Sequence, residues 1–240
     1  MSEYASNLSQ IPGIRHGFLS QANEGLPDGV FTCKQIHSAI LIEAPDNLPA
    51  GSLQGDAVYT DGERPIAVIT ADCLPLLVAA EDGSLVAALH GGWKGLRGGI
   101  IGNAIARFEA LEIPRRSLRI AIGPSIRPCC YEVSQAFVSE LQESQGPLWA
   151  ESAAPWTREQ PAPLSPPSLA PPEARQAGSF WFDLQGYAQR LLRAAGIADW
   201  QVETSPTCTY CSSADFSSYR RRTHEADPRK TFQYSWIGRT

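Results

Sequence analysis

One stretch, from Thr70 to Gly99, constrains the fold more than any other part of this chain. An apolar run begins beside Asp72-Cys73, turns at residues 81–83, and is followed by a second apolar run that ends at His90. Two such runs joined by turn residues predict a pair of buried strands that can run antiparallel. Cys73 and His90 would then lie at one end of one sheet. A thiol and an imidazole in that position suit either half of a metal site or a nucleophile with its base.

Composition narrows the class of protein. The chain has 240 residues, of which 43% are hydrophobic and 19% are charged, so it can bury a substantial core and is not a disordered chain. A net charge of −5 argues against binding to a nucleic-acid backbone. We find neither a signal-peptide pattern nor an apolar run of about 18 residues, so no membrane association is expected. We therefore expect a cytoplasmic protein whose six cysteines are reduced.

A glycine-rich segment that contains Trp93, Lys94 and Arg97 follows His90, and apolar residues at helical spacing follow that segment. The order strand, glycine-rich turn, helix allows two interpretations. Free backbone N–H groups with Lys94 and Arg97 can hold an anion such as phosphate. Alternatively, the glycines only let the helix pack closely on the sheet. The residues alone leave both interpretations open.

The rest of the chain reads as further strands and helices around one long loop. We predict helices near 135–143 and 184–195, the second capped by Asp183, and strands at 14–19, 31–43, 56–59, 66–70, 118–122, 180–182 and 200–204. His37 falls inside the 31–43 pattern, where a lone histidine is more often a structural residue, and His16 is interpreted the same way. Residues 146–178 hold eight of the nineteen prolines and predict an irregular, exposed loop within a single domain spanning 1–240.

Four more cysteines and an arginine cluster carry weaker signals. Cys129 and Cys130 are adjacent, and adjacent cysteines rarely bind one metal together. Cys208 and Cys211 form a CxxC motif without a second such motif. We expect them to be reduced and not to form an independent zinc site, because no third and fourth ligand is apparent nearby. The arginines within 218–222 form either a solvated face or the wall of a pocket for an anionic substrate.

Six motifs occur in order: K-Q-I-H at 34–37, T-A-D-C-L-P at 70–75, H-G-G-W-K-G at 90–95, G-P-S-I-R-P-C-C-Y-E-V at 123–133, C-T-Y-C at 208–211 and S-Y-R-R at 218–221. Together they resemble the YfiH/YlmD family over nearly the whole chain from about residue 11. That family has been described both as a multicopper polyphenol oxidase, or laccase, and as a purine nucleoside phosphorylase, and it includes the mammalian protein FAMIN. The resemblance implies an α+β fold of mixed β-sheets with outer helices, in α/β/β/α layers, similar to a cysteine-hydrolase toxin domain.

The resemblance also implies a site and an activity. It makes His37, Cys73 and His90 zinc ligands, and three such ligands leave a fourth position open for water. It implies zinc-dependent phosphorolysis of adenosine, inosine and methylthioadenosine, with adenosine deamination as a further activity, so a purine nucleoside and phosphate are the expected partners. Asp72 is a candidate for proton transfer or for orienting a histidine. The candidates for substrate and anion binding are Gln35, Trp93, Lys94, Arg97 and Tyr131.

The chain also departs from the family pattern. Lys94 stands where the family usually has arginine, so an anion there would meet a point charge instead of a bidentate donor. The family's S-L-N-L motif and later N-R pair have no match before residue 34, so one wall of the pocket is expected to differ.

Two other functions stay open. Cys73 can act as a nucleophile with His90 or His37 as base, in an amide hydrolase that edits peptidoglycan precursors. A copper-dependent polyphenol oxidase is less favoured than a zinc enzyme, because a laccase needs many histidines and this chain has four.

Overall fold

Strands from most of the chain form the centre of the computed structural model, which describes residues 2–212 and 215–240. The strands of these residues are β1 (Ile14–Phe18), β2 (Leu41–Glu43), β3 (Ala57–Thr60), β4 (Ile66–Thr70), β5 (Leu74–Ala80), β6 (Val86–Gly91), β7 (Leu118–Ile122), β8 (Glu132–Val133), β9 (Trp156–Thr157), β10 (Phe180–Phe182), β11 (Val202–Thr204) and β12 (Gln233–Arg239).

These strands form three sheets. The largest has the order β11-β7-β5-β6-β3-β2; its two edge pairs are parallel and its inner pairs are antiparallel. A three-stranded antiparallel sheet, β1-β12-β4, packs against one face of the large sheet. A small sheet, β8-β10-β9, lies on the helical side.

Strand β5 shows why the central sheet forms where the sequence predicts it. Every residue from Leu74 to Ala80 is buried. Leu76 and Val78 point into the core shared with the helices, whereas Leu77 and Ala79 point into the core between the two larger sheets. Successive side chains of a strand point to opposite faces, so a strand covered on both faces must be apolar throughout.

Most of the helices lie on the other side of the large sheet, whereas Leu8 of the first helix packs into the core between the two larger sheets. The α-helices of the described residues are α1 (Ser6–Ser9), α2 (Trp93–Arg97), α3 (Ile100–Ala110), α4 (Gln135–Gln145), α5 (Leu184–Ala194) and α6 (Tyr219–Glu225). In the same residues, three short 3-10 helices span Arg115–Ser117, Gly146–Trp149 and Asp199–Gln201. Helix α5 begins at Asp183, whose Oδ1 accepts the N–H of Gly186 at 2.9 Å, as the predicted cap requires. None of these helices has the length and apolarity needed to cross a bilayer. The predicted α+β class is confirmed.

The long strand predicted over 31–43 is wrong in its first ten residues. Only Leu41–Glu43 is a strand, and residues 31–40 pass along the sheet as a loop that makes isolated bridges at Phe31 and Lys34. His37 has a φ of 59°, in the left-handed region, which interrupts any strand. The physical reason is that the N–H groups of 36–38 bond to one buried carboxylate and not to a neighbouring strand.

The segment 146–178, predicted to be irregular, begins with the 3-10 helix Gly146–Trp149 and contains the short strand β9, but it has no helix or strand between residues 158 and 179. It is nevertheless bonded to the rest of the protein. The Gln160 side chain donates to the Cys129 carbonyl at 2.7 Å, and the N–H groups of Ser168 and Leu169 donate to the Cys211 carbonyl at 2.9 and 3.0 Å. The segment therefore lies against the loops that carry the cysteines.

We expect Leu77→Ala to lower the free energy of unfolding by about 2–5 kcal/mol, because Leu77 is fully buried between the two sheets and its loss leaves a cavity. Urea unfolding measures this change. Leu164→Ala is the matched control: Leu164 is 68% exposed, and its replacement is expected to change stability by under about 0.5 kcal/mol. Equal effects of the two changes would contradict the layered core described above.

Candidate active site at the ends of the central strands

The structure brings three of the predicted site residues together. Cys73 lies immediately before β5, His90 lies in β6 opposite Pro75, and His37 lies on the loop that crosses above both strands. The Cys73 Sγ is 3.9 Å from the Nε2 of His37, and the two imidazole rings have centroids 4.8 Å apart. One ligand atom from each residue falls within 4.8 Å of the others, which is compatible with a single shared ion.

Asp56, which the sequence analysis did not single out, holds this arrangement. Its carboxylate is fully buried and accepts five hydrogen bonds. One comes from the Nδ1 of His90 at 2.8 Å; the others come from the N–H groups of 36–38 and the Ser38 hydroxyl. The bond to Nδ1 fixes the ring of His90 and leaves its Nε2 free to act as a ligand or base.

Charge in the site favours a thiolate. Burial alone would raise the pKa of the Cys73 thiol, but the His90 and His37 rings outweigh burial and lower that pKa to about 7. Burial alone would lower the pKa of His90, yet the Cys73 thiolate and the Asp56 carboxylate raise it to about 9. The pair is therefore an ion pair of thiolate and imidazolium near neutral pH when nothing else is bound.

The glycines after His90 let the backbone of this segment lie close to His37, Cys73 and Leu74. A Cβ on Gly92 would lie 3.0 Å from the His37 ring and 3.4 Å from the Cys73 sulfur. A Cβ on Gly91 would lie 2.9 Å from the Leu74 carbonyl oxygen, a backbone atom that cannot move aside cheaply. The interpretation in which these glycines serve close packing therefore has direct support.

A cavity of about 770 Å³ opens beside the three residues. Its walls include four of the five predicted substrate residues: Gln35, Trp93, Lys94 and Tyr131. Gln35 also has a structural task, since its amide group exchanges two 2.7 Å hydrogen bonds with the backbone of Ile69. The cavity has the size of an ordinary small-molecule site.

Arg97 is placed elsewhere. It does not belong to the cavity lining; its guanidinium pairs with Glu140 and stacks on the Trp93 ring. Among the described residues, the cationic side chains that reach the cavity are Lys94 and Arg220, and Arg220 belongs to the arginine cluster in 218–222. It lies over the Tyr131 ring at 5.4 Å and donates to the Glu132 carbonyl at 2.8 Å. The pocket-wall interpretation thus applies to Arg220, whereas Arg221 is buried and bonded to backbone carbonyls.

Asp72 is buried at the cavity wall with a φ of 88°. Its carboxylate accepts the Thr209 hydroxyl and the N–H of Arg220, each at 2.7 Å. Burial raises the pKa of this carboxyl, and hydrogen bonds from Arg220, Thr209 and Ser218 only partly offset that rise. Asp72 does not bond to either site histidine among the described contacts, so the alternative role of orienting a histidine falls to Asp56.

Two aromatic side chains at the cavity mouth were missed by the sequence analysis. Tyr219 and Phe232 line the cavity and are 58% and 43% exposed. Tyr219 belongs to the S-Y-R-R motif, which was a usable signal, but Phe232 has no sequence pattern that marks it.

His16 is buried and its Nε2 accepts the N–H of Ala5 at 2.8 Å, in line with a structural role.

The expectation that no further ligands lie near Cys208 and Cys211 is wrong. The structure places Cys129 and Cys130 beside them, and the four sulfur atoms all lie within 4.8 Å of one another. The spacing of 81 residues between Cys130 and Cys211 hid this contact. A parallel bridge between Ser125 and Cys208 brings the two loops together.

Fold and site together define an α+β protein with a thiol and two imidazoles at the ends of the central strands. The family model described as "multi-copper polyphenol oxidoreductase laccase" matches residues 16–229, and the chain belongs to this family.

Relatives and solved structures agree with this assignment. "Purine nucleoside phosphorylase YlmD" of Geobacillus stearothermophilus is 31% identical over 199 residues, which are 79% of this chain and 66% of that protein. A purine nucleoside phosphorylase of Synechocystis sp. is 30% identical over 226 residues, 88% of this chain and 80% of that protein. The crystal structure of Geobacillus stearothermophilus YlmD matches with a TM-score of 0.76 and 25% identity, covering 98% of this chain and 94% of that one.

We expect Cys73 to be the thiol that iodoacetamide modifies first in chelator-treated protein. It is partly exposed, whereas the other five cysteines are buried. The rate at which iodoacetamide modifies Cys73 should rise with pH around an apparent pKa of about 7, because only the thiolate reacts. His90→Gln removes the imidazolium and should move this pKa upward, toward the ordinary value near 8.5. Mass spectrometry of the labelled peptide measures the rate; an unchanged pH profile in that variant would contradict the assigned ion pair.

Proposed function

We propose that this chain is a metal-dependent purine nucleoside phosphorylase, with zinc as the metal. The observation that carries the proposal is the convergence of His37, Cys73 and His90 beside a cavity of about 770 Å³, which is large enough for a nucleoside. The relatives named as purine nucleoside phosphorylases support the reaction. The proposed substrates are adenosine, inosine and methylthioadenosine, with adenosine deamination as a side activity.

The donor set fits a zinc ion. A thiolate with two imidazoles is a ligand set that favours zinc over magnesium or calcium. The low pKa of Cys73 means that little free energy is needed to free the sulfur of its proton. The Nδ1 bond to Asp56 directs the other nitrogen of His90 toward the site. When bound, zinc would act as a Lewis acid and lower the pKa of a coordinated water.

The cavity offers separate groups for the base and for phosphate. Tyr219 and Phe232 at the mouth, with Tyr131 deeper, present ring surfaces on which a purine can stack. Lys94 and Arg220 are the cationic side chains of the lining, and we assign phosphate to them. Arg220 can donate in a planar, bidentate way, which compensates for the lysine at position 94.

Phosphorolysis breaks the bond between the ribose C1′ and the purine nitrogen while a phosphate oxygen bonds to C1′. The leaving base must take up a proton. Asp72 is the candidate donor, since its carboxyl lines the cavity and burial raises its pKa. Thr209 and the Arg220 backbone hold the carboxyl in place.

A second function is favoured by one observation. Cys73, His90 and Asp56 form a chain of thiolate, imidazole and carboxylate, the order found in cysteine nucleophile sites. If no metal is bound, this arrangement suits attack on an amide carbonyl. Whether the active protein holds a metal ion that depends on Cys73 separates the two functions.

Cys73→Ala should remove both the site's metal and the phosphorolysis of adenosine, because it deletes one of three ligands. The measurement is metal analysis beside product analysis, with and without phosphate. Adenine and ribose 1-phosphate identify phosphorolysis, and inosine identifies deamination. Cys33→Ser is the control, since Cys33 is a buried cysteine outside the site. If Cys73→Ala leaves the metal content unchanged and the wild-type protein cleaves an amide substrate, the proposal is refuted and the second function is supported.

Arg220→Gln should raise the KM for phosphate about 10- to 100-fold, as expected for the loss of one charge-assisted hydrogen bond worth about 1.5–3 kcal/mol. Arg97→Gln is the matched control, since Arg97 pairs with Glu140 and is absent from the cavity lining. Initial rates at varied phosphate measure both variants. A larger effect of Arg97 than of Arg220 would show that phosphate binds elsewhere.

A further inference from the structure

Four buried cysteines form a cluster that is separate from the three proposed metal ligands His37, Cys73 and His90. Cys129 and Cys130 come from the loop after β7, and Cys208 and Cys211 come from the loop after β11. The Sγ of Cys130 is 3.2 Å from that of Cys211 and 3.6 Å from that of Cys129. All four are free thiols, and each is at most 3% exposed.

The spacing of the sulfur atoms fits one tetrahedral ion. Four sulfurs at about 2.3 Å from a zinc ion lie about 3.8 Å from one another. The cluster, with every sulfur within 4.8 Å of the others, can adopt that geometry with small side-chain shifts. A disulfide would need a separation of about 2.05 Å. Four ligands fill the coordination shell, which is typical of a structural site and not of a catalytic one.

A tight turn explains how adjacent cysteines reach one point. The N–H groups of Cys130 and Tyr131 both donate to the Arg127 carbonyl, at 2.9 and 3.0 Å. In a strand, neighbouring side chains point to opposite faces. In this turn both thiols lie on the same side, facing the CxxC loop.

Charge supplies a second, independent observation. Arg127 is 7% exposed, and its Nε and Nη1 have no hydrogen-bond partner among the described residues. The charge of Asp183 acts on this guanidinium, and so would the sulfur atoms of Cys208 and Cys129 once they had lost their protons. A buried cation with unsatisfied donors is costly unless an anion lies near it. Zinc with four thiolates carries a net charge of −2, and the N–H of Arg127 already donates to the Cys208 sulfur at 3.5 Å.

We propose that Cys129, Cys130, Cys208 and Cys211 hold one zinc ion as a structural tetrathiolate site, and that Arg127 balances its charge. Zinc replaces the thiol protons, which pass to solvent. The site would join the loop that carries Tyr131, a residue of the cavity lining, to the CxxC loop, whose Thr209 hydroxyl bonds to Asp72 at the cavity wall. The inference does not depend on the proposed phosphorylase activity.

The test uses full-length Cys73→Ala protein, which lacks the other proposed metal site, purified without added metal under reducing conditions. We expect about one zinc ion per chain, with X-ray absorption showing four sulfur neighbours at about 2.3 Å. Adding Cys211→Ser should reduce the zinc to near zero, whereas adding Cys33→Ser should leave it unchanged. If the Cys211→Ser protein fails to fold, the X-ray absorption spectrum of the Cys73→Ala protein tests the proposal by itself, through the number of sulfur neighbours of the zinc.

Three results would overturn the proposal. The first is zinc-free Cys73→Ala protein that binds no added zinc, and the second is a bound zinc with nitrogen or oxygen neighbours. The third is a Cys130–Cys211 disulfide found by mass spectrometry in protein purified under reducing conditions. None of these results bears on the phosphorylase assay of the wild-type protein, so the two proposals can fail separately.

Discussion

The buried carboxylate of Asp56 is the interaction on which the rest of the site depends. Burial alone would raise its pKa, but hydrogen bonds from His90, Ser38 and Ile36 hold that pKa well below the usual range. It therefore stays ionised and keeps its acceptors filled. Because it binds the loop at 36–38 and the ring of His90 at once, it sets the distance between a loop histidine and a strand histidine. Without this anion, nothing in the strand pairing would place His37 over the sheet.

The sequence predicted the parts of the fold whose signal is local. The strands β4, β5 and β7 follow from continuous apolar runs, and α3 and α5 follow from helical spacing and from the cap at Asp183. The pairing of β5 with β6 follows as well, whereas the α+β class was predicted only from the family resemblance. The loop at 31–40 could not be predicted this way, because its alternating apolar residues imitate a strand. Its hydrogen bonds go to Asp56, nineteen residues from His37.

In the candidate site, too, residues with a local sequence signal were predictable and residues placed by long-range contacts were not. Cys73 and His90 follow from strand ends, whereas His37 entered only through the family resemblance. Closeness in the chain did not predict which arginine lines the cavity. Arg97 is close to Lys94 in the chain yet pairs with Glu140. Arg220 is far from Lys94 in the chain yet lines the cavity. The cysteine cluster depends on a bridge between Ser125 and Cys208, and no local pattern encodes a contact across 83 residues.

Two neighbouring residues connect the opposite walls of the cavity. Cys73 faces the two histidines, whose positions are fixed by the rigid ends of β5 and β6 and by Asp56. Asp72, one residue earlier, faces the loop wall, where it accepts the N–H of Arg220 and the hydroxyl of Thr209. A φ of 88° is unfavourable for a non-glycine residue, and it is the backbone turn that sends these two side chains in different directions.

The strain at Asp72 is opposed by several hydrogen bonds, including one from the Ile126 N–H to the Asp72 carbonyl at 3.0 Å. Ile126 precedes the turn that carries Cys129 and Cys130, and Thr209 lies between Cys208 and Cys211. The position of Asp72 is thus set by the same two loops that the cysteine cluster joins. A displacement of either loop would move the Asp72 carboxyl and the Arg220 backbone together, relative to Cys73. The proposed phosphate cation and proton donor therefore form one unit, held against the proposed metal ligands through a single strained residue.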